Sequence, residues 1–339
     1  RDQRIYYTLS TDASGRRWVV PKKVPVFSQA AQWGPVIHYD GQKIWLFYSE
    51  TRPRCLRKPM TSTMDNTTRF PERWAIGGLI KFTTSLSGRT WTDPKTILDG
   101  KTGSVPKITA NKLIVMSTGE WVLPFWEQRS WSVCQTPGKP SGVSGVMVTR
   151  DRGIHWEKRG RIRLEQLGLW LIEGTVVENP PGTLVMLLRT SLGYIYSTRS
   201  TDRGKNWSPP GPTTILNPDT KAHAIGLPGG EIVLAYNDHQ KQGMGLVRDH
   251  LRLVMSKDGG YTWRRVGIVD NLISPEAWLH YPCLLLRNTS LYVGYSRTVA
   301  PAGHGGIDVD MANMGLWVQV YSVPSLLQEF ERQAGAHGV

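Results

Sequence analysis

Cysteine and long apolar runs are both scarce in this chain. Its 339 residues include three cysteines, Cys55, Cys134 and Cys283, whose separations do not match metal-ligand spacing and whose odd number allows one disulfide at most. No stretch approaches 18 apolar residues, so the sequence predicts no transmembrane helix, and it opens on no signal peptide. A start without Met indicates a processed or truncated product. Three N-x-Ser/Thr triplets permit glycosylation and secretion without deciding the compartment.

Acidic residues are also few, with 27 Asp and Glu against 41 Lys and Arg, giving a net charge of +14 and a pI near 9.8. Such a balance favours acidic partners, which include sialylated or uronate glycans, a nucleic acid or an anionic membrane surface. A solvated basic surface with no dedicated ligand is the alternative, because the basic residues are scattered and cluster locally only at 52–58. No RNA-binding or zinc-finger motif accompanies that cluster.

Tryptophan and glycine are abundant, and five stretches end in Gly-x-x-Trp. The best preserved is residues 256–263, SKDGGYTW, and residues 149–156 and 200–207 match it position for position. Two others are degenerate. Around Gly88 and Trp91 the Asp position holds Leu86, and around Gly15 and Trp18 it holds Ala13 unless Ser10 and Asp12 align with one inserted residue.

The pattern Ser/Thr-x-Asp-x-Gly-x-x-Trp predicts a hairpin turn. Asp and Ser side chains can accept hydrogen bonds from backbone N–H groups, Gly supplies positive φ, and Trp folds back as an apolar plug. Alternating apolar stretches flank each turn, and the five glycines lie 51 to 73 residues apart. Repetition at this period predicts a β-propeller with one such turn per four-stranded blade.

The turn resembles the Asp-box of the sialidase (neuraminidase) superfamily, which implies an all-β, six-bladed propeller; the box itself implies no activity. Residues 33–297 are similar to a bacterial and plant branch of sialidase-like Asp-box proteins. The segments that carry this similarity are WLFY at 45–48, EGTVVE at 173–178, LLRT at 187–190, NPD at 217–219, AYN at 235–237 and YPCL at 281–284.

The strand pattern gives five full units and half of another, so a six-bladed ring fits best, with the first blade incomplete at the N-terminus and its two missing strands expected before residue 1. Asp40-Gly41 predicts a hairpin between residues 34–39 and 43–48. The propeller is expected over residues 1–323, followed by a short helix and tail at 324–339. The helix is predicted for 325–333, with Ser325 as N-cap.

Sialidases in general bind the substrate carboxylate with three arginines and use a Tyr nucleophile paired with Glu, together with an Asp acid/base. Arginine matches a carboxylate bidentately, and a phenol approaches an anionic sugar with less repulsion than a carboxylate nucleophile. The resemblance implies Tyr281 as nucleophile, Glu173 as its paired carboxylate, and Arg189 and Arg248 on the substrate carboxylate. Arg252 competes with Arg248. Alternatively, Tyr281 is a rim residue of a strand-opening turn, Glu173 a solvated carboxylate and Arg248 a surface charge.

Two parts of the sialidase pattern are not found. The turn that resembles the first-arginine turn, at residues 33–35, carries Trp33, and the acid/base has Asp2 as a candidate by rough position. Glu127, Asn217 and His223, at predicted strand ends, are expected to contact substrate. Packing around a satisfied carboxylate is the alternative for Glu127.

The sequence therefore favours a sialidase-like exo-glycosidase acting on an anionic, sialic-acid-type sugar, without a cofactor or a metal site. Two alternatives stay open: a non-catalytic propeller that binds a glycan or, through its basic surface, an acidic macromolecule; and a uronate lyase in which His223 or His280 acts as base with Tyr281. Extracellular location is an expectation from the resemblance alone.

Overall fold

In the computed structural model, segments of alternating apolar and polar residues form strands that pair antiparallel. It describes residues 3–12, 15, 17–26, 28, 30–52, 55–57, 73–99, 105–128, 142–165, 169–239, 248–271, 277–299 and 314–335. Blade I consists of β3 (Gln32–Tyr39), β4 (Ile44–Glu50), β7 (Leu79–Ser85) and β8 (Lys95–Leu98). Blade II consists of β9 (Lys107–Ile108), β10 (Ile114–Val115), β11 (Trp121–Gln128), β12 (Gly142–Thr149) and β13 (Glu157–Ile162).

Three further blades follow in chain order. Blade III consists of β14 (Leu171–Glu178), β15 (Leu184–Thr190), β16 (Tyr194–Ser200) and β17 (Gly211–Leu216). Blade IV consists of β18 (His223–Gly226), β19 (Ile232–Asn237), β20 (His250–Ser256) and β21 (Arg264–Asn271). Blade V consists of β22 (Ala277–Arg287), β23 (Ser290–Val299) and β24 (Gly315–Ser322). A separate two-stranded sheet pairs β5 (Leu56–Arg57) with β6 (Arg73–Trp74).

The first strand of each blade packs against the preceding blade. Strand β14 contacts β11 and β12, β18 contacts β14, and β22 contacts β18, β19 and β20. Buried apolar side chains fill the interface between each pair of neighbouring blades, as Trp45, Phe47, Trp121 and Leu123 do between blades I and II. This arrangement confirms the all-β propeller, because blades II to IV each pack apolar side chains against a neighbouring blade on either side.

The prediction of six blades is wrong for the residues that the structure describes, which form five. The N-terminal strands β1 (Tyr6–Tyr7) and β2 (Lys22–Lys23) make a two-stranded sheet packed on Leu46 and Tyr48 of blade I. An Asp-box connects them, as it connects the last two strands of blades I to IV. Strands β1 and β2 thus correspond to the outer half of a blade, and the inner half is not among the described residues.

The Asp-boxes have the predicted turn chemistry. In blade IV, Ser256 Oγ accepts from Gly260 N (2.7 Å), Asp258 Oδ1 accepts from Thr262 N (2.9 Å), and Trp263 Nε1 donates to Gly260 O (3.2 Å). Gly260 has φ +89°. The boxes of blades II and III repeat this pattern around Asp151 and Asp202.

The structure also settles the register of the two degenerate boxes. Asp12 Oδ2 accepts from Arg17 N (2.7 Å), so the alignment with one inserted residue is correct. In blade I, Ser85 Oγ accepts from Gly88 N (2.8 Å) and Ser87 Oγ accepts from Arg89 N (3.2 Å). This turn is one residue shorter than the others, so Ser87, and not Leu86, takes the place of Asp.

The chain closes with one helix, α1 (Val323–Gly335), which packs Leu326 and Phe330 into the core between blades IV and V. The predicted cap is wrong by three residues. Ser322 Oγ accepts from Ser325 N (3.5 Å), and Pro324 fits the first turn because no intrahelical N–H bond is lost there. The domain boundary at residue 323 stays a prediction. Among the described residues, no helix is long and apolar enough to cross a membrane.

Candidate functional site

Two bulges on inner strands carry the central residues of the candidate site. In β14 the register shifts between Ile172 and Thr175, and Glu173 has φ +51°. In β22 the register shifts between His280 and Cys283, and Tyr281 has φ +55°. Positive φ at a residue other than Gly costs free energy and is concentrated at functional sites. The fold therefore maintains a strained backbone at both residues.

Blade I has the same bulge in β3, between Trp33 and Val36, but Gly34 occupies the equivalent position with φ +54°. A Cβ there would lie 1.7 Å from the backbone oxygen of Thr109. Blade I therefore presents no side chain from this position, in contrast to Glu173 of blade III.

Buried side chains from neighbouring blades hold the two bulges in place. Asn111 Nδ2 donates to the backbone oxygens of Glu173 (2.7 Å) and Ala222 (3.3 Å), which joins blades II, III and IV. Lys221 Nζ donates to Pro282 O (2.9 Å), immediately after Tyr281. Burial lowers the pKa of the Lys221 ammonium. Both contacts fix backbone rather than substrate, so Asn111 and Lys221 are positioning residues.

Arg189 lies between two carboxylates. Its Nη1 donates to Glu173 Oε2 and its Nε to Asp219 Oδ1, each at 2.8 Å, and the three side chains are at most 13% exposed. Trp170 Nε1 also donates to Asp219 Oδ1 (3.3 Å). Burial lowers the pKa of Arg189, but Glu173 and Asp219 outweigh it and hold that pKa above its ordinary value. The cation is charged and fully compensated.

Asn217 builds the turn that presents Asp219. Asn217 is completely buried; its Oδ1 accepts from Thr220 N (2.8 Å), and its Nδ2 donates to Thr220 Oγ1 (3.1 Å). Asp219 has φ +63° within this turn. The predicted role of Asn217 in substrate contact is untested, and its visible role is to hold the carboxylate that binds Arg189.

Arg248 lies on the other side of the pocket and has no carboxylate partner among its hydrogen bonds in the described chain. Its Nη1 donates to His280 Nδ1 (3.1 Å), and its guanidinium carbon lies 4.8 Å from the Trp278 ring centroid and 6.0 Å from that of Tyr281. Its Nε is buried with no hydrogen-bond partner. Arg252, the competing candidate, instead donates to the backbone oxygen of Asp270 (3.2 Å).

The pKa of Arg248 shows which groups share its surroundings. Burial and then the Arg189 cation lower this pKa, whereas Tyr281 and Glu173 oppose the shift. Charges on all four of these residues therefore act on one another, and the four side chains together are called the Arg248 pocket. Tyr281 is 46% exposed, so its ring is accessible from solvent.

His280 connects Arg248 to blade V. Since arginine can only donate, His280 Nδ1 accepts, and its Nε2 carries the proton that it donates to Thr298 Oγ1 (2.7 Å). Burial and the Arg248 cation lower the pKa of His280 to about 4, so the imidazole is neutral at pH 7. Its ring centroid lies 4.8 Å from that of Tyr281.

Two other predicted substrate contacts have structural partners instead. Glu127 pairs with Lys158 and lies 4.0 Å from Lys107, both in blade II. His223 is 1% exposed and accepts from Leu284 N (2.9 Å), which ties blade IV to blade V. Burial lowers the pKa of His223 well below its ordinary value. Neither contact leads to the Arg248 pocket, and Asp2 lies outside the described residues.

Sequence reasoning missed Asp219, Trp278, Lys221 and Asn111. Asp219 stands inside the NPD segment that carries the resemblance, so an acidic residue two positions after Asn217 was the available signal. The sequence contains no signal for Lys221 or Asn111, because their side chains donate hydrogen bonds to backbone oxygens of residues far away in the sequence.

Four blades with Asp-box turns and a pocket of two arginines, a carboxylate and a tyrosine define the chain as an Asp-box β-propeller. Residues 1–293 match the family model of the BNR repeat-like domain, and the chain belongs to that family. No curated protein matches the chain.

Solved structures with this fold include several sialidases. The Hadza microbial sialidase Hz136 superposes with a TM-score of 0.62 at 18% identity, covering 86% of this chain and 57% of its own. Trypanosoma rangeli sialidase in complex with sialic acid has a TM-score of 0.60 at 15% identity, and the match covers 94% of this chain and 49% of the sialidase. A protein of unknown function from Dyadobacter fermentans has a TM-score of 0.64 at 16% identity, and the match covers 88% of this chain and 80% of that protein. These likenesses show the fold, and the chain spans about half the length of the sialidases.

Proposed function

We propose that the Arg248 pocket binds a sialic-acid-type sugar and hydrolyses its glycosidic bond. One observation carries the proposal: Arg248 is buried, has an unpartnered Nε and lies beside the exposed ring of Tyr281. A buried cation without an anion is costly unless a ligand supplies the negative charge. The carboxylate of the sugar would complete this cation and place the anomeric carbon near the phenol.

In the proposed reaction, Tyr281 Oη attacks the anomeric carbon while its proton passes to the Glu173 carboxylate. The bond from the anomeric carbon to the leaving oxygen breaks, and that oxygen takes a proton from an acid or from water. Water then attacks the anomeric carbon and gives up a proton, which restores the acid or neutralises the hydroxide left by the first step. The tyrosyl–sugar bond breaks, and the proton on Glu173 returns to the departing phenolate. Glu173 Oε2 is already bound by Arg189, so the second carboxylate oxygen is the acceptor for Tyr281.

The two predicted arginines have unequal roles in this scheme. Arg189 uses Nε and Nη1 on Asp219 and Glu173, so it can offer a ligand only its remaining nitrogen. Arg248 therefore binds the sugar carboxylate, and Arg189 chiefly orients Glu173. Asn217, as the support of Asp219, belongs to the same orienting group.

A non-catalytic glycan-binding propeller is the second candidate. Both carboxylates of the described pocket, Glu173 and Asp219, are engaged by Arg189, so neither is a free acid for the leaving group. A lyase has less support, since His223 is buried and both ring nitrogens of His280 are engaged. An acidic macromolecular partner rests on net charge alone and stays a prediction.

The test is hydrolysis of a fluorogenic aryl sialoside, whose phenolate leaves with little acid assistance. We compare the full chain with Tyr281→Phe and with the control Tyr261→Phe, which alters an exposed tyrosine of the blade IV Asp-box. Turnover that is lost in Tyr281→Phe and kept in the control supports the hydrolase. Calorimetric binding of sialic acid without turnover would favour the binding module, and neither binding nor turnover would overturn both.

A further inference from the structure

Three metal-ligating side chains meet at one end of blade IV, outside the machinery described above. His239 lies two residues beyond the end of β19, and Asp249 immediately precedes His250, the first residue of β20. The ladder continues between these segments, because Asp238 N donates to His250 O (2.7 Å). The pairing therefore holds His239 and His250 side by side, although ten residues lie between them in the sequence.

The donor atoms of the three side chains lie close together. His239 Nδ1 lies 3.5 Å and His250 Nδ1 2.8 Å from Asp249 Oδ1, and one ligand atom from each residue lies within 4.8 Å of the others. The imidazole centroids are 6.2 Å apart, with 28° between the ring planes. Tetrahedral zinc with bonds of roughly 2.0–2.1 Å separates its ligand atoms by about 3.4 Å. The distance from His239 to Asp249 matches this spacing, whereas the His250 distance and the separation of the two imidazole nitrogens, which is up to 4.8 Å, would be adjusted by side-chain rotation.

The polar atoms of the cluster are incompletely used by the protein. His250 Nδ1 is buried and makes no hydrogen bond, although Asp249 Oδ1 is near it. Asp249 Oδ1 instead accepts from the backbone N of His250 (2.8 Å). A buried ring nitrogen without a hydrogen-bond partner is costly in a finished core, and a bound cation would satisfy it.

We propose that His239, Asp249 and His250 form a three-ligand site for a divalent transition metal, with zinc the best match. Two imidazoles and one carboxylate are a donor set that zinc accepts, and three protein ligands leave a fourth position for water. The histidines and aspartate are 20–36% exposed at their side chains, so a cation can reach them from solvent. The site is independent of the proposed glycosidase chemistry.

Charge around the cluster limits the affinity. Asp249 is the one carboxylate of the triad, neighbouring Asp238 is paired with Arg265, and Arg248 precedes Asp249 in the chain. We therefore expect weaker binding than that of structural zinc sites.

The experiment is calorimetric titration of zinc chloride into the full chain, prepared without a histidine tag and stripped with EDTA. We expect one equivalent to bind, and His239→Ala or His250→Ala to weaken binding at least tenfold. His155→Ala is the matched control, because His155 Nδ1 faces Asp151 Oδ2 at 2.7 Å and the pair belongs to no three-ligand group among the described residues. Cys283→Ser controls for the exposed thiol.

Cobalt(II) substitution adds a spectroscopic reading of the ligand set. Nitrogen and oxygen ligands in a tetrahedral site give visible bands without the near-ultraviolet bands of thiolate coordination. Each variant is first shown to unfold at the same temperature as the metal-free wild type. An alanine variant that does not is replaced by the glutamine variant at the same position, for example His239→Gln. Absent binding, binding unchanged in both histidine variants, or an equal loss in His155→Ala or Cys283→Ser would overturn the proposal.

Discussion

The two halves of the pocket hold their arginines in opposite ways. On blade III, Arg189 donates to Glu173 and Asp219 at 2.8 Å each, so its charge is matched within the protein. At the junction of blades IV and V, Arg248 donates to a neutral imidazole, and its Nε has no partner. The first half is electrostatically complete, whereas the second lacks an anion among the residues that the structure describes.

The pKa shifts of the two arginines express the same contrast. Burial lowers both, but the two carboxylates reverse the shift at Arg189, whereas at Arg248 the nearby Arg189 cation adds to it. Burial of the guanidinium is therefore not what distinguishes the two arginines. The distinguishing feature is whether the fold supplies the counter-charge.

The largest effect is expected from removing the compensated cation. Arg189→Met leaves Glu173 and Asp219 as two buried carboxylates without the guanidinium that compensates their charge, which should lower the free energy of unfolding by about 3–5 kcal/mol. The measurement is the denaturant midpoint at neutral pH. Arg189→Lys keeps a positive charge and should lose less. A loss in Arg189→Met below about 1 kcal/mol would show that this half is not held together by charge compensation.

Removing the uncompensated cation should give the reverse pattern. Arg248→Met deletes a charge that has no anionic partner, so the free energy of unfolding should change by less than about 1 kcal/mol. Affinity for sialic acid should fall at least tenfold, about 1.4 kcal/mol, by calorimetry. Arg150→Gln, an exposed change in the blade II Asp-box, should alter neither quantity. Destabilisation as large as that of Arg189→Met would remove the distinction between the halves.

The sequence predicts those parts of the structure that depend on residues close together in the chain. The Asp-box turns and the hairpin at Asp40 follow from residues a few positions apart, and the resemblance implied Glu173, Arg189, Arg248 and Tyr281, which the structure brings into one pocket. Their chemical roles stay predictions. The six-bladed ring was wrong for the described residues, because the half-unit at β1 and β2 was extended to a complete blade whose inner strands are not among them.

Residues whose roles depend on distant partners could not be predicted. A strand-end position does not reveal that Glu127 pairs within blade II or that His223 bonds a backbone N–H of blade V. The cluster of His239, Asp249 and His250 has no metal-motif spacing either, because it forms only when β19 and β20 pair. The expectation of no metal site rested on spacing, which does not register residues that only strand pairing brings together, and it stays a prediction.

The smallest expected effect is a pH dependence in the uncompensated half, where the pKa of His280 is lowered from 6.5 to about 4. Between these values the unfolded chain binds a proton that the folded chain does not, so the free energy of unfolding falls as pH drops from about 6.5 towards 4. We expect His280 to account for about 1–2 kcal/mol of this fall, allowing for its partial exposure.

His223 titrates in the same direction, so the variant His280→Gln is needed to isolate the contribution of His280. Gln can accept from Arg248 and donate to Thr298, and the variant should lose less stability than wild type over this range in denaturant titrations. Equal pH slopes for the two proteins, with His155→Gln as exposed control, would show that burial and the Arg248 cation do not keep His280 neutral.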